Sequence, residues 1–422
     1  MLKLYPTSAR RKSAKTELTI FKLIQERPSI SRVELAQEAN LSTAAITSVV
    51  GSLWEHGLLV EGETVSGKVG RRRIGLRLRS ELGYVVGVDL GTFNLRIAVT
   101  DLNGLPLAKQ TVPTRMWLGR SGVLDHCFSM IREVIAESGV GMASIKGIGI
   151  AFSGVIDVHN GKILSYPRPG LMESWRNVPL QKIVEDEFAV PCVLEDSVRA
   201  IAITERRQGA GAQFNDFVYV EVGIGIGASI FINGNIYRGC NGSAGEFGHI
   251  TIDQDGPLCC CGSHGCLEAL ASTARVIESV KAALQKGVSS KVLELADDDV
   301  SKITIEIIAH AAQNGDSLAY RALSEAAAHI GAACADIINL LNPEAIIFGG
   351  ALFRAAPEIL LDHLKRLIRN RALEKSVNDV TLLKAETSSD AGALGMARFI
   401  AGTVIESVYE SRVSGMAKLK DV

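Results

Sequence analysis

The 422-residue sequence has few aromatics, 5% of its residues, and only eight cysteines. Eight cysteines in a chain this long are too few for a disulfide-built scaffold. No run of about 18 apolar residues is free of charged or polar breaks, so a membrane span is not expected. The basic stretch from Met1 to Arg11 is not followed by the apolar core of a signal peptide, and the chain reads as cytoplasmic. Net charge is almost absent as well, at -1. What is present is ordinary for a globular protein: 47% hydrophobic and 22% charged residues. That balance excludes disorder and collagen-like structure. The length predicts two or three domains.

The near-zero charge hides a split. Residues 1–80 hold 14 Lys+Arg and 7 Asp+Glu, whereas the remainder holds 31 and 39. A basic head on an acidic body points to a nucleic-acid partner for the head. Leu18, Phe21, Leu23 and Ile24 recur at helical spacing, and Pro28 ends that element. Ser31 and Glu34 have the spacing of a capping box for a second helix. Asn40 supplies a short turn, Ser42 caps a third helix, and Gly57 stops it. Leu58 to Val60 and Ile74 to Leu78 read as strands around the loop Gly67-Lys68-Val69-Gly70-Arg71-Arg72-Arg73. This order predicts a winged helix-turn-helix over residues 1–80, similar to those of bacterial repressors. In such a domain the third helix enters the major groove. Thr43, Ala44, Thr47 and Ser48 are then the candidates for base edges. Arg71, Arg72 and Arg73 are the candidates for phosphates or a narrow minor groove.

From Gly83 the pattern becomes that of an α/β body. Tyr84 to Gly91, Leu95 to Thr100 and Leu107 to Thr114 read as strands, with a turn at Leu102-Asn103-Gly104. A helix near Val123 to Glu137 and a buried strand from Ile145 to Ala151 follow. A related order recurs at Phe217 to Val222, the turn Gly223-Ile224-Gly225-Ile226-Gly227, and Ala228 to Ile232. Two halves that each open with a glycine-rich hairpin suggest a cleft between two lobes. Gly-rich turns let backbone N–H groups approach a phosphate, although a tight turn with no ligand reads the same way.

The strongest motif is Cys259-Cys260-Cys261-Gly262-Ser263-His264-Gly265-Cys266-Leu267-Glu268, ten residues after His249 in Gly245-Glu246-Phe247-Gly248-His249. His249, Cys259, Cys261 and Cys266 make the donor set of a closed structural zinc site. Gly262 and Gly265 allow the chain to fold back on itself. His264 is a rival ligand on a tight turn, and Cys260 is expected to face outward.

These motifs, together with Asp89-Leu90-Gly91, Ile346-Ile347-Phe348-Gly349-Gly350 and Ala393-Leu394-Gly395, resemble the ROK family of bacterial sugar kinases and sugar-responsive repressors. The resemblance covers about residues 83–402 and implies a two-lobed, actin-like ATPase fold with the zinc site in its second lobe. It also implies that the His and three Cys hold a structural zinc. Glu246, His249 and Glu268 would contact sugar hydroxyls, with the metal fixing one wall of the pocket. The winged helix ahead of these motifs resembles the family's repressor branch.

The kinase features are incomplete. Where kinase members carry Glu-Asn-Asp-Ala-Asn, this chain reads Glu195-Asp196-Ser197-Val198-Arg199. Counted back from Glu205, Ser197 takes the place of the catalytic Asp, and serine has no carboxylate to accept a proton. Asp196 is the base only if the register slips by one; otherwise it caps a helix. Both residues remain candidates to line the sugar pocket. Thr92, Phe93 and Ile224 replace hydrogen-bonding or close-approach residues of the two phosphate turns, so bound ATP is not expected. Pro169 is followed by Gly170 and Leu171 where kinases place a sugar-binding Asn.

The expected function is therefore a sugar-responsive transcriptional regulator, a non-enzyme. Its partners are a double-stranded operator, a sugar or sugar phosphate effector, and a second or further copies in a dimer or tetramer. The alternative is an ATP-dependent sugar kinase with a DNA-binding arm. A third reading is control by a transporter protein, with no membrane insertion. The stretch Arg398 to Val422 reads as an amphipathic helix that serves that contact or packs onto the body or a dimer partner. Residues 403–422 are set apart as a C-terminal helix or tail.

Overall fold

The structure is a computed structural model that describes residues 8–65, 73–166 and 175–420. These divide into two units. One takes in the chain up to Phe152, Pro179–Glu195 and everything from Gly392 on; the other takes in Ser153–Val178 and Asp196–Ala391.

The first unit begins with α1 (Ser8–Glu26), β1 (Ile30–Ser31), α2 (Arg32–Glu38), α3 (Thr43–Glu55), β2 (Leu59–Val65) and β3 (Arg73–Leu78). The caps expected from the sequence form. Ser31 accepts from the Glu34 N–H while the Glu34 carboxylate accepts from the Ser31 N–H at 2.8 Å, a complete capping box. Asn40 takes a left-handed φ of 51°, Ser42 accepts from the Ala45 N–H, and Gly57 follows the third helix at φ 65°. The three strands form a sheet in the order β1-β3-β2. The two-residue β1 escapes sequence patterning, because a pair of residues has no period. It is held close by Gly75, where a Cβ would lie 2.5 Å from the Ser29 carbonyl oxygen. Residues Gly67 to Arg72 of the expected wing lie outside the described residues, as does the side chain of Arg73.

A five-stranded sheet follows, built from β4 (Tyr84–Leu90), β5 (Asn94–Asp101), β6 (Pro106–Pro113), β7 (Ile145–Phe152) and β10 (Cys192–Asp196), in the order β10-β7-β4-β5-β6. β4 is antiparallel to β5 and parallel to β7. Two glycines, Gly87 and Gly149, allow the C-terminal helix Ala391–Lys420 to lie on this sheet. A Cβ at either would meet the helix backbone at Ala393 or Met396 within 2.5 Å.

The same helix completes the head. Ile20, Phe21, Ile24, Leu35, Ile46, Leu53 and Leu76 share one core with Ile400, Val404, Ile405, Val408 and Tyr409, with Val85 of the sheet and with Leu102 of the turn after β5. Phe21 meets Tyr409 at 5.6 Å between ring centroids, and the Tyr409 hydroxyl donates to Glu17 at 3.0 Å. Polar contacts fasten the other side. Asn103 accepts from the Leu78 N–H at 2.9 Å and donates to the Leu78 carbonyl at 3.0 Å, and Asp101 accepts from Asn103 and Ser80. A window of the C-terminal helix, Ala391–Ser414, is long and apolar enough to cross a membrane, yet 61% of it is buried. Its apolar face is covered by the head and the sheet, which is what a core helix requires.

The second unit contains the hairpin β8 (Val155–Asp157) and β9 (Lys162–Ser165). Its main sheet comprises β11 (Phe217–Val222), β12 (Ile226–Ile232), β13 (Asn235–Tyr237), β14 (Ala345–Gly349) and β15 (Thr381–Lys384), in the order β13-β12-β11-β14-β15. Again the leading strand is antiparallel to its hairpin partner and parallel to the strand on its other side. The repeat expected from the two glycine-rich hairpins is thus a repeat of sheet connectivity. Buried Glu205 anchors this unit by accepting from the backbone N–H groups of Ala210, Glu386 and Thr387.

Candidate DNA-binding face and metal centre

Helix periodicity sets the two faces of α3. Ile46, Val50 and Leu53 are buried in the head, whereas Thr43, Ala44, Thr47 and Ser48 are all exposed. The four expected DNA-contacting residues therefore occupy the open side of the helix near its N-terminus. Thr47 donates its hydroxyl proton to the Thr43 carbonyl at 2.8 Å, which leaves that oxygen as an acceptor and its methyl as an apolar contact. Gly51, one turn further on, is also exposed with open space around it, so a duplex backbone has room to approach; sequence reading passed over it.

The metal-type cluster lies in the second unit. His249 Nδ1 is 3.6 Å from Cys259 Sγ, and Cys261 Sγ is 3.7 Å from Cys266 Sγ. All four donor atoms lie within 4.8 Å of one another. A tetrahedral zinc with Zn–S near 2.3 Å and Zn–N near 2.05 Å requires S···S of about 3.8 Å and S···N of about 3.6 Å. The residues present fit that ion.

The backbone explains why they converge. Cys259 N–H donates to Ser263 O at 2.7 Å and Gly262 N–H to Cys259 O at 2.9 Å, closing a knuckle. Gly265, at φ 62°, lies against Asp253, whose carbonyl oxygen would be 1.4 Å from any added Cβ. Gly245, at φ 101°, does the same for the segment carrying His249, with Ala228 O 2.1 Å from a Cβ. His264 turns away, its Nδ1 3.3 Å from Gly256 O, and Cys260 is exposed. Burial pushes the Cys266 thiol up to about 12, so a bound cation must displace its proton. Backbone N–H donation from Ser263 lowers Cys261.

The expected sugar-contacting residues divide. Glu246 is exposed and His249 half-buried, with Nδ1 turned to the Cys259 sulfur. Glu268 Oε2 accepts from the Ile226 N–H of the glycine turn at 2.9 Å. Asp196 caps the helix Ser197–Gln208, accepting from the Val198 and Arg199 N–H groups at 2.9 and 3.1 Å. Ser197 accepts from the Ser153 hydroxyl at 3.0 Å. Pro169 to Leu171 lie outside the described residues. A residue the motif reading did not single out is Arg199, 3% exposed, which donates to the Gly242 and Ala244 carbonyls just ahead of Glu246.

Each glycine turn is closed by one backbone hydrogen bond of its own. Gly91 N–H donates to Asn94 O at 3.1 Å, and Gly223 N–H to Gly225 O at 2.9 Å. Asp89, 5% exposed, pairs with Arg96 at 3.1 Å.

The ROK family matches residues 85–402, and a winged helix-turn-helix DNA-binding family matches residues 14–60. A xylose repressor of Caldicellulosiruptor bescii is 30% identical over 357 residues, 84% of this chain and 88% of that protein. The DNA-binding transcriptional dual regulator NagC of Escherichia coli is 29% identical, covering 93% of this chain and 95% of NagC. The solved structure of a ROK family transcriptional regulator, a homologue of the E. coli MLC protein, superposes with a TM-score of 0.77 at 28% identity. It covers 95% of this chain and 99% of that one.

Proposed function

Because the chain belongs to the ROK family and carries a winged helix ahead of the family's body, we propose that it is a sugar-responsive transcriptional repressor of carbohydrate-metabolism genes. The carrying observation is the open face of α3. Thr43, Ala44, Thr47 and Ser48 are exposed together on a head whose core is shared with the first sheet. Short hydroxyl and methyl side chains near a helix N-terminus suit base edges. The arginines Arg71, Arg72 and Arg73 would add phosphate contacts. Two copies of the head, in a dimer or tetramer, would meet a pseudo-palindromic operator in the cytoplasm.

The effector is a sugar or sugar phosphate. Its hydroxyls would donate to the Glu246 and Glu268 carboxylates, and His249 would offer its second ring nitrogen. His249, Cys259, Cys261 and Cys266 would hold zinc, whose contribution is structural: it fixes the His249 ring and the Cys259–Glu268 turn against β12. The relatives are named for different sugars, xylose and N-acetylglucosamine, so the effector is left at the level of class. Effector binding would favour one arrangement of the first unit over another, and with it the head that shares that unit's core. Control by a transporter protein would act on the same equilibrium.

The family also contains kinases, and the local chemistry here opposes that activity. Ser197 has no carboxylate, and Asp196 Oδ1 is engaged by two backbone N–H groups at the helix start. The Gly91 and Gly223 N–H groups donate within their own turns, which leaves two fewer donors for a phosphate there. The test is capture of sheared host genomic DNA by the purified protein with and without a panel of sugars, alongside ADP release from ATP. Enrichment of a few pseudo-palindromic sites that a sugar alters supports the proposal. Steady sugar-dependent ADP release without enrichment would replace it with the kinase.

A further inference from the structure

Cys260 takes no part in the four-ligand centre, yet it is not isolated. Its Sγ lies 4.0 Å from Cys259 Sγ and 3.4 Å from Glu268 Oε1, and the three donor atoms lie within 4.8 Å of one another. We propose that Cys259, Cys260 and Glu268 form a second, solvent-facing site for a thiophilic divalent cation, adjoining the four-ligand centre through the shared Cys259 sulfur.

The spacing suits such an ion. With metal–sulfur bonds near 2.3 Å and metal–oxygen bonds near 2.1 Å, tetrahedral geometry asks for about 3.8 Å between sulfurs and about 3.6 Å between sulfur and oxygen. The pairs stand at 4.0 and 3.4 Å, so only small side-chain shifts are needed. Glu268 is already oriented. Its Oε2 is held by the Ile226 N–H at 2.9 Å, which leaves Oε1 directed at Cys260. A cation would take the place of the thiol proton between Sγ and Oε1, releasing that proton to solvent. The Cys259 thiolate has lone pairs enough to bridge two cations. Three protein donors leave one coordination position open to water, unlike the closed four-ligand set. Access is direct, because Cys260 is exposed while Cys259 is buried beneath it.

One consequence rests on the proposed function. Glu268 is one of the two carboxylates assigned there to the sugar, so a cation at this site would compete with the effector for it.

The test is equilibrium dialysis of the full chain against micromolar cadmium chloride, with zinc plus cadmium counted per chain. Wild type is compared with Cys260→Ser and, independently, Glu268→Gln. The expected result is one cation per chain fewer in each variant than in wild type. Cys240, which is also exposed, contributes equally to all three and cancels. Equal counts in wild type and Cys260→Ser would overturn the proposal, as would a thiolate–cadmium charge-transfer band of undiminished intensity in Cys260→Ser. The zinc content of the protein as purified tests the four-ligand centre separately, so the two failures are distinguishable.

Discussion

Ending the chain at Gly402 is expected to unfold the DNA-binding head, although the cut lies more than 300 residues from it in sequence. The reason is the shared core. Val404, Ile405, Val408 and Tyr409 are each 5% exposed or less, and all face the head's apolar residues. Full burial of an aliphatic side chain contributes about 1.5–3 kcal/mol, so the three aliphatics together contribute about 5–9 kcal/mol. Residual burial in the unfolded chain lowers that to roughly 3–8 kcal/mol. The Phe21–Tyr409 ring contact adds about 1 kcal/mol. Removing this much is comparable with the whole stability of a small domain, about 5–15 kcal/mol. The exposed Lys22–Glu406 pair adds little to this. Limited trypsin digestion reads the outcome, because Lys15, Lys22 and Arg27 lie on or beside α1. The truncated protein should be cut there rapidly and lose operator binding by fluorescence anisotropy, while fragments of the second unit persist. A truncated protein whose head stays protected and whose operator affinity is unchanged would refute the shared-core reasoning.

Three further outcomes follow from the same structure, and a fourth from the arginine run of the sequence. The double substitution Cys261→Ser and Cys266→Ser should lower zinc by about one per chain by metal analysis, whereas His264→Ala should leave it bound. Gly245→Ala, at φ 101° with Ala228 O 2.1 Å from the new Cβ, should displace the Glu246–His249 segment and lower thermal stability by several kcal/mol. Ser31→Ala removes one half of the capping box and should cost about 0.5–2 kcal/mol in denaturant unfolding of the head. Replacing Arg71, Arg72 and Arg73 together by Ala should weaken operator binding and reduce its salt slope by up to about three; an unchanged slope would take the wing out of the interface.

Much of this was legible in the sequence because it is written in short-range chemistry. Ser31-x-x-Glu34, Ser42 and Gly57 specify their caps whatever they pack against, and each appears as expected. The Cys-x-Cys-Gly-x-x-Gly-Cys spacing brings its thiols together because Gly262 and Gly265 adopt the backbone angles that only glycine takes easily. Long-range partners were not legible. Nothing in Asn103 announces that its amide will bond both backbone groups of Leu78, or in Arg199 that it will hold the loop before Glu246. The C-terminal helix reads as amphipathic in sequence, but which surface covers its apolar face depends on contacts nearly 400 residues apart. The sequence left Asp196 as a cap or a base, and the cap is what forms, whereas the pairing of Cys260 with Glu268 was decided by placement rather than by motif.

A sugar bound to the body is expected to change the affinity of the head for DNA. A captured operator fragment should therefore be titrated by anisotropy in the presence of single monosaccharides and their phosphates, using wild type and Glu246→Gln. At least one sugar should shift the wild-type Kd by about tenfold, a coupling of about 1.4 kcal/mol, and shift that of Glu246→Gln far less. Specific operator binding that no sugar in the panel alters would contradict that coupling, whereas a shift of equal size in both proteins would take Glu246 out of the sugar contact.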